Sequence, residues 1–328
     1  IIENRNFEEI EYQFKKEKIN IILIATSIVL FFTYILSFTN FSSTDKRKLV
    51  KTALVNNKYL DSINRFELSQ GEQKLTLSKE KAGGGDVWFI LAENNTKILP
   101  ADKELVNNFL FKLTKVVNMY KISDKIFLNN SFGLTDSSTF CLKYYFSDSE
   151  FQQIYFGDLD FSNSFRYLMS GKTTTVYQVE NTIDTFLNTK IQFWAEPNII
   201  SKQIINISPD SIQKITLSKN SKTKSFSSQQ KNFREKCFDL LELRHGGIPT
   251  PEEFQSINNQ NPSKIFIENG NKSTVELSLF NLDTDSKINN SVIIKTEYIF
   301  ENSKNQTYSK ISNWTYKKIL EILEVESE

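Results

Sequence analysis

The sequence predicts an α+β protein: one N-terminal transmembrane helix, then two tandem, divergent α+β repeats built on mainly antiparallel sheets. Three observations lead there. Residues 21–38 form an apolar run without a charge, the remainder alternates short strand-like runs with two amphipathic helices, and the segment 61–69 returns in similar form at 210–218. A chain of 328 residues with 39% apolar content is long enough for two folded cores.

Composition narrows the chemistry. Lys plus Arg number 40 against 39 Asp plus Glu, so a net charge of +1 provides no field for gathering nucleic acid. One His and two Cys cannot build a four-cysteine or two-cysteine, two-histidine zinc site, and ten Gly leave little for phosphate-cradling loops. No cofactor, no metal and no enzymatic activity are therefore expected. The abundance of Lys, Asn, Ile and Phe points to an AT-rich bacterial genome.

The first element is the anchor, placed at 19–39. Its 18-residue uncharged run, with Ile21, Leu23, Ile28, Leu30, Phe32 and Leu36 facing lipid, covers roughly 27 Å of the ~30 Å hydrocarbon layer as a helix. The run is apolar all round, which argues against a core helix. It is also longer than a signal-peptide h-region, and no A-x-A pattern follows at 37–43, so an uncleaved signal anchor is expected. Lys15, Lys16 and Lys18 abut its N-terminal edge, whereas Lys46, Arg47 and Lys48 stand further off. The positive-inside rule then places the stub 1–18 in the cytoplasm and residues 44–328 in the periplasm of a bacterial inner membrane, as a single-pass protein. Phe7, Ile10 and Phe14 give the stub a weak apolar stripe, or simply extend the anchor helix. Ala25, Thr26 and Ser27 form a small-residue patch in the anchor, suited either to a close helix approach or to plain lipid contact.

Two domains follow, at 55–200 and 208–325. Asp102 is an N-cap, and Leu105, Val106, Phe109, Leu110, Leu113, Val116, Val117 and Tyr120 recur at helical spacing. A second helix is expected over 228–244, with Phe233, Cys237, Leu240 and Leu241 inward and Gly246-Gly247 as its stop. Strands are expected at 65–68, 75–77, 87–91, 140–146, 153–156, 264–268, 275–280 and 292–300. Between 61–69 and 210–218 five of nine residues are identical, and Tyr167 and Tyr177 precede Tyr298 and Tyr308 by a constant 131. The junction at 197–209 is apolar enough, through Ile199, Ile200, Ile204, Ile205 and Ile207, to be a packed strand.

Each motif with chemical content has a plainer reading. Gly171-Lys172-Thr173 lacks the earlier glycine of a phosphate loop, since position 166 is Arg, and reads as a hairpin turn. Gly83-Gly84-Gly85 precedes a strand instead of opening a helix, which suits a loop, or a close approach by a ligand or partner. His245 reads as a cation at a helix C-terminus, or as a general base without a recognisable nucleophile. Cys141 and Cys237 read as buried thiols, or as an interdomain disulfide in an oxidising compartment. Asp158 and Asp160 read as turn residues, or as a carboxylate pair for hydrolysis or cation binding. The four tyrosines read as core or hairpin residues before partner contacts.

Residues 88–91, the run Lys97-Ile98-Leu99-Pro100-Ala101-Asp102 with its helix, Phe132-Gly133-Leu134-Thr135-Asp136, Ile154-Tyr155-Phe156-Gly157, and the hairpin from Arg166-Tyr167-Leu168 to Val176-Tyr177-Gln178-Val179 resemble the bacterial domain-of-unknown-function 4340 family. The likeness covers about 60–200 well and the second copy loosely. It implies a single-pass membrane protein facing the periplasm, encoded near an ABC-type ATPase, an exporter-type permease and a gliding-motility-type auxiliary protein. The second half is unusually rich in Asn and Ser for such a protein. The expected function is a non-catalytic accessory subunit of an ABC-type transporter complex that binds permease, ATPase and auxiliary periplasmic subunits. A cell-envelope scaffold around a flagellar or secretion apparatus is the alternative, and an envelope glycan or lipid enzyme using Asp158 and Asp160 is the third.

Overall fold

Helix α1 (Ile2–Phe41) runs unbroken for 40 residues in this computed structural model, about 60 Å at 1.5 Å per residue. The structure describes residues 2–41, 49–92, 97–124, 131–134, 139–147, 149–219, 222–257, 260–281, 291–301 and 303–324; for 2–11 and 35–41 the backbone alone is described. The chain divides into two compact units, 1–50 and 51–328. In the first, the stub at 2–18 continues the anchor as helix, and the segment Tyr12–Tyr34 is long and apolar enough to cross a membrane, with none of it buried. Lys46, Arg47 and Lys48, and likewise Thr135 and Asp136, lie outside the described residues.

The sheet-rich unit is α+β and antiparallel wherever strand pairing is described. Its first sheet comprises β1 (Leu49–Ala53), β2 (Arg65–Gln70), β3 (Gln73–Ala82), β4 (Gly85–Leu91), β5 (Lys97–Pro100), β6 (Val116–Ser123), β7 (Phe140–Tyr145), β8 (Phe151–Leu159), β9 (Phe165–Ser170) and β10 (Val176–Glu180). Their order is β1-β6-β10-β9-β8-β7-β2-β3-β4-β5. Helix α2 (Lys103–Thr114) covers one face with Val106, Phe109 and Leu113. Asp102 caps it as expected, its Oδ1 accepting the Leu105 N–H at 2.9 Å. The helix is shorter than its periodicity suggests. Lys115 turns extended, and Val116–Ser123 continues as β6, where Val117 and Met119 alternate inward; residues 116–120 satisfy the helical and the strand pattern equally, and pairing with β10 decides between them.

Inside this sheet Phe66 stacks on Trp88 at 4.4 Å, while Phe109 meets Phe66 and Trp194 edge-on at 5.6 and 5.2 Å. Trp194 comes from the short helix α3 (Ile191–Trp194). Burial of Trp88 and Ile90 on one side of β4 leaves Val87 and Phe89 on the other, and these join the core of the second sheet.

That second sheet has β11 (Ile212–Lys219), β12 (Lys222–Ser227), β13 (Ser263–Asn269), β14 (Thr274–Asn281), β15 (Ser291–Ile299) and β16 (Lys304–Ser312) in the order β12-β11-β13-β14-β15-β16. Helices α4 (Phe233–Leu241) and α6 (Asn313–Ile322) pack on it, with the short α5 (Pro251–Ser256) between α4 and β13. The second helix is therefore 233–241 instead of 228–244. It ends at Leu241 with Glu242 as its C-cap, and Gly246 and Gly247 are not its stop: they bridge to Lys310 at the end of β16. The junction at 197–209 is packed, with Ile199, Ile200, Ile204, Ile205 and Ile207 buried, but contains no extended strand; it coils, because its apolar residues fill a gap between the two sheets.

Within the first sheet the sub-order β3-β2-β7-β8-β9-β10 parallels β12-β11-β13-β14-β15-β16: a hairpin, a helix, then a four-strand meander joined through the hairpin's first strand. Ile63, Phe66 and Leu68 are buried at the places of Ile212, Ile215 and Leu217. The spacing of 131 does not carry through strand pairing. Tyr177 faces Leu168, whereas Tyr308 faces Lys295 and Tyr298 faces Asn305, because the strands of the second hairpin are longer and meet in a shifted register.

Candidate functional site

The anchor face is exposed along its whole described length, including Ile21, Leu23, Ile28, Leu30 and Phe32. Leu36 lies where only the backbone is described. Lys15, Lys16 and Lys18 are exposed N-terminal to that face. Ala25, Thr26 and Ser27 occupy consecutive positions, and Thr26 Oγ1 donates to the Ile22 carbonyl at 2.8 Å, which returns its hydroxyl to the helix.

A part-buried polar cluster lies where the two sheets meet. The Glu196 carboxylate accepts from Ser201 Oγ at 2.6 Å, from Gln203 Nε2 at 2.8 Å and from the Lys202 N–H at 3.3 Å. Gln203 Nε2 also donates to the Ala101 carbonyl at 2.8 Å. Tyr298, fully buried, accepts from the Ser201 N–H at 2.8 Å and donates to the Ile199 carbonyl. Burial raises the Glu196 pKa against the opposing hydrogen bonds of Ser201 and Gln203, and burial likewise raises that of the Tyr298 phenol. These groups bond to one another and to backbone, and so fix the junction. Sequence reading missed the cluster; Glu196 followed by Pro197 and Ser201, beside the apolar junction, was its only trace.

His245 belongs to this junction and not to a helix end. Its ring Nε2 lies 2.8 Å from the Glu196 carbonyl, while α4 has already finished at Leu241. Burial lowers its pKa, against hydrogen bonds to Glu196 and Gly247, so the neutral imidazole is favoured. Gly83 and Gly84 form the two-residue β3–β4 turn with φ of +59° and +88°. The close approach at this glycine run is internal: a Cβ on Gly83 would lie 1.9 Å from the Ile204 carbonyl oxygen. Gly171-Lys172-Thr173 lies in the β9–β10 turn, where the Gly171 N–H bonds the Gln153 carbonyl at 2.9 Å.

Asp160 organises the β8–β9 turn: its carboxylate accepts from Ser162 Oγ at 2.9 Å and from the Phe165 N–H at 3.1 Å. Asp158 lies against Gly133, where a Cβ would come within 2.3 Å of its carboxyl carbon. No cluster of three or more metal-ligating side chains occurs among the described residues. Cys141 on β7 and Cys237 on α4 are free and buried, and burial pushes the Cys237 thiol up to about 12. Tyr167 packs on Phe132 and Tyr308 on Phe254, so neither ring projects freely. Other rings do project, among them Trp314, Phe111 and Phe238, and most fully Phe161 in the β8–β9 turn, which the sequence reading passed over. An aromatic set among Asp, Ser and Asn was its signal.

A family model described as "Domain of unknown function (DUF4340)" matches residues 88–264, from within β4 to the start of β13. The match thus begins later than the expected 60 and runs through the junction into the second sheet. No curated protein and no solved structure matches the chain. With more than half of its 328 residues matched, the chain belongs to the DUF4340 family.

Proposed function

We propose that this chain is a non-catalytic, membrane-anchored accessory subunit of an ABC-type transporter complex, with its stub in the cytoplasm and its sheet-rich unit in the periplasm. The observation that carries this reading is that an apolar helix, unburied over 12–34, precedes a unit whose polar side chains hold turns and the junction between sheets. Anchor and platform are what such a subunit contributes. In the complex α1 docks beside a permease helix through Ala25, Thr26 and Ser27, an ATPase is supplied by another chain, and the periplasmic unit meets a gliding-type auxiliary subunit. Lys15, Lys16 and Lys18 support the cytoplasmic placement of the N-terminus. The periplasmic unit arose as two divergent copies, 55–200 and 208–325; the parallel strand orders and the equivalence of Ile63, Phe66 and Leu68 with Ile212, Ile215 and Leu217 support this.

Purification of the tagged full chain from native membranes in mild detergent tests the reading. A permease and an ATPase should co-purify in fixed ratio to it. Recovery of the chain without either would overturn the proposal.

A further inference from the structure

We propose that the outer edge of β12 takes an extended acidic segment of another protein as an added strand of the second sheet, with carboxylates at alternate positions facing Lys222 and Lys224. β12 stands last in its sheet. Lys219 and Lys222 flank a two-residue connection, so the alternation of an antiparallel ladder turns the backbone groups of Lys222 and Lys224 toward β11 and those of Thr223 and Ser225 outward. Both outward residues are exposed. Their N–H and C=O groups offer the hydrogen bonds that an added strand uses.

The first sheet shows what fits such an edge. In the parallel strand orders β12 corresponds to β3, whose outer side is filled by antiparallel β4, and Asp86 of β4 answers Lys81 directly across that pair at 2.7 Å. Among the described residues no strand stands beyond β12 to answer Lys222 in the same way. Charge then identifies the occupant. Residues 211–236 hold seven Lys or Arg against one carboxylate, Glu235, in a chain whose net charge is only +1. Carboxylates from outside the segment reach four of the seven: Asp210 pairs with Arg234, Glu268 with Lys214, and Glu324 with both Lys224 and Lys236. Lys219, Lys222 and Lys231 are in no ion pair among the described residues. Lys219 and Lys222 are also directly opposed across the hairpin, an arrangement that costs stability until an anion joins them. A second copy of β12 would set lysine against lysine and is repelled, whereas an acidic strand meets both the open backbone and the charge.

The test is fluorescence anisotropy on the full chain in detergent at low salt, with a blocked, dye-labelled peptide that alternates Glu with Val and Thr as the probe. That peptide should bind about tenfold or more tightly than its counterpart with Gln in place of Glu. Lys222→Glu combined with Lys224→Glu should weaken it about tenfold, with the thermal midpoint unchanged. Methylating alternate backbone nitrogens of the peptide removes its donors without touching its charge, and should weaken binding to a similar extent. Equal binding of the methylated peptide would mean that any anionic surface suffices, lipid headgroups included, and overturns strand addition. Unchanged affinity in the lysine variant, or no binding of the acidic peptide, overturns it as well. So does binding that emerges only when residues 325–328 are deleted, because the chain's own Glu326 and Glu328 would then hold the edge.

Discussion

In the ten-stranded sheet Phe66, Trp88, Phe109 and Trp194 interlock ring on ring, whereas in the six-stranded sheet the corresponding strand adds Ile215 and Leu217 to a core of isoleucines and leucines. One strand order thus accepts two kinds of interior. Aromatic pairs impose geometry on the helix above them; aliphatic side chains fill volume and ask less of their neighbours. The second interior is also not self-sufficient. It takes Ala82, Val87 and Phe89 from the first sheet, so β4 is buried on both faces and serves two cores.

This shared strand is the strongest place to break the comparison. Phe89→Ala should cost about 3–5 kcal/mol, because a fully buried ring leaves a cavity in the aliphatic core. Since β4 belongs to both cores, calorimetry of the full chain in detergent should show one transition moving as a whole. Two transitions, of which only one shifts, would mean the sheets unfold independently. Gly83→Ala comes next, at about 2–4 kcal/mol, from the left-handed φ together with the clash on Ile204. Gly84→Ala, equally left-handed but with open space around it, should cost only about 1–2 kcal/mol by urea titration.

The same contrast explains what could be read from the residues. Phe66 and Leu68 alternate with polar neighbours, and Asp102 caps a run of helical periodicity, so β2 and the start of α2 follow from local pattern. The end of α2 does not, because Val116 to Tyr120 fits both periods and only β10 selects the strand. Irregular segments were legible in burial alone: five isoleucines marked 197–209 as packed, but the coil they adopt is set by the space between sheets. The Glu196 cluster joins Glu196 to Tyr298, 102 positions away, through Ser201, which no local spacing encodes. Phe161 was hidden for a different reason. The polar run around it marks a turn, but the ring's full exposure is set by the turn's direction.

A smaller effect tests the equivalence of the two copies directly. Tyr298→Phe removes the acceptor of the buried Ser201 N–H and should cost about 1–3 kcal/mol. Tyr167→Phe, at the position that the spacing of 131 pairs with it, keeps its packing on Phe132 and should stay within about 0.5 kcal/mol. Equal losses in urea titrations of the two variants would restore the residue-by-residue correspondence that strand pairing contradicts.

The smallest effect is a slope in stability against pH, and it separates two neighbours at the junction. Burial raises the Glu196 pKa above 4.5 in the folded chain, so the folded state binds that proton more tightly than the unfolded one. Its contribution to stability therefore declines as pH rises from 4.5 through the folded pKa and is flat beyond it. His245 has the opposite sign: burial holds its folded pKa below 6.5, and its contribution is complete above 6.5 and lost as pH falls through the folded value. In Glu196→Gln the decline above pH 4.5 should vanish, while the rise toward pH 6.5 due to His245 persists. Urea midpoints measured across that range read both slopes. An unchanged profile in Glu196→Gln would mean that the carboxylate is solvated in the folded chain and that the junction between the sheets is open to water.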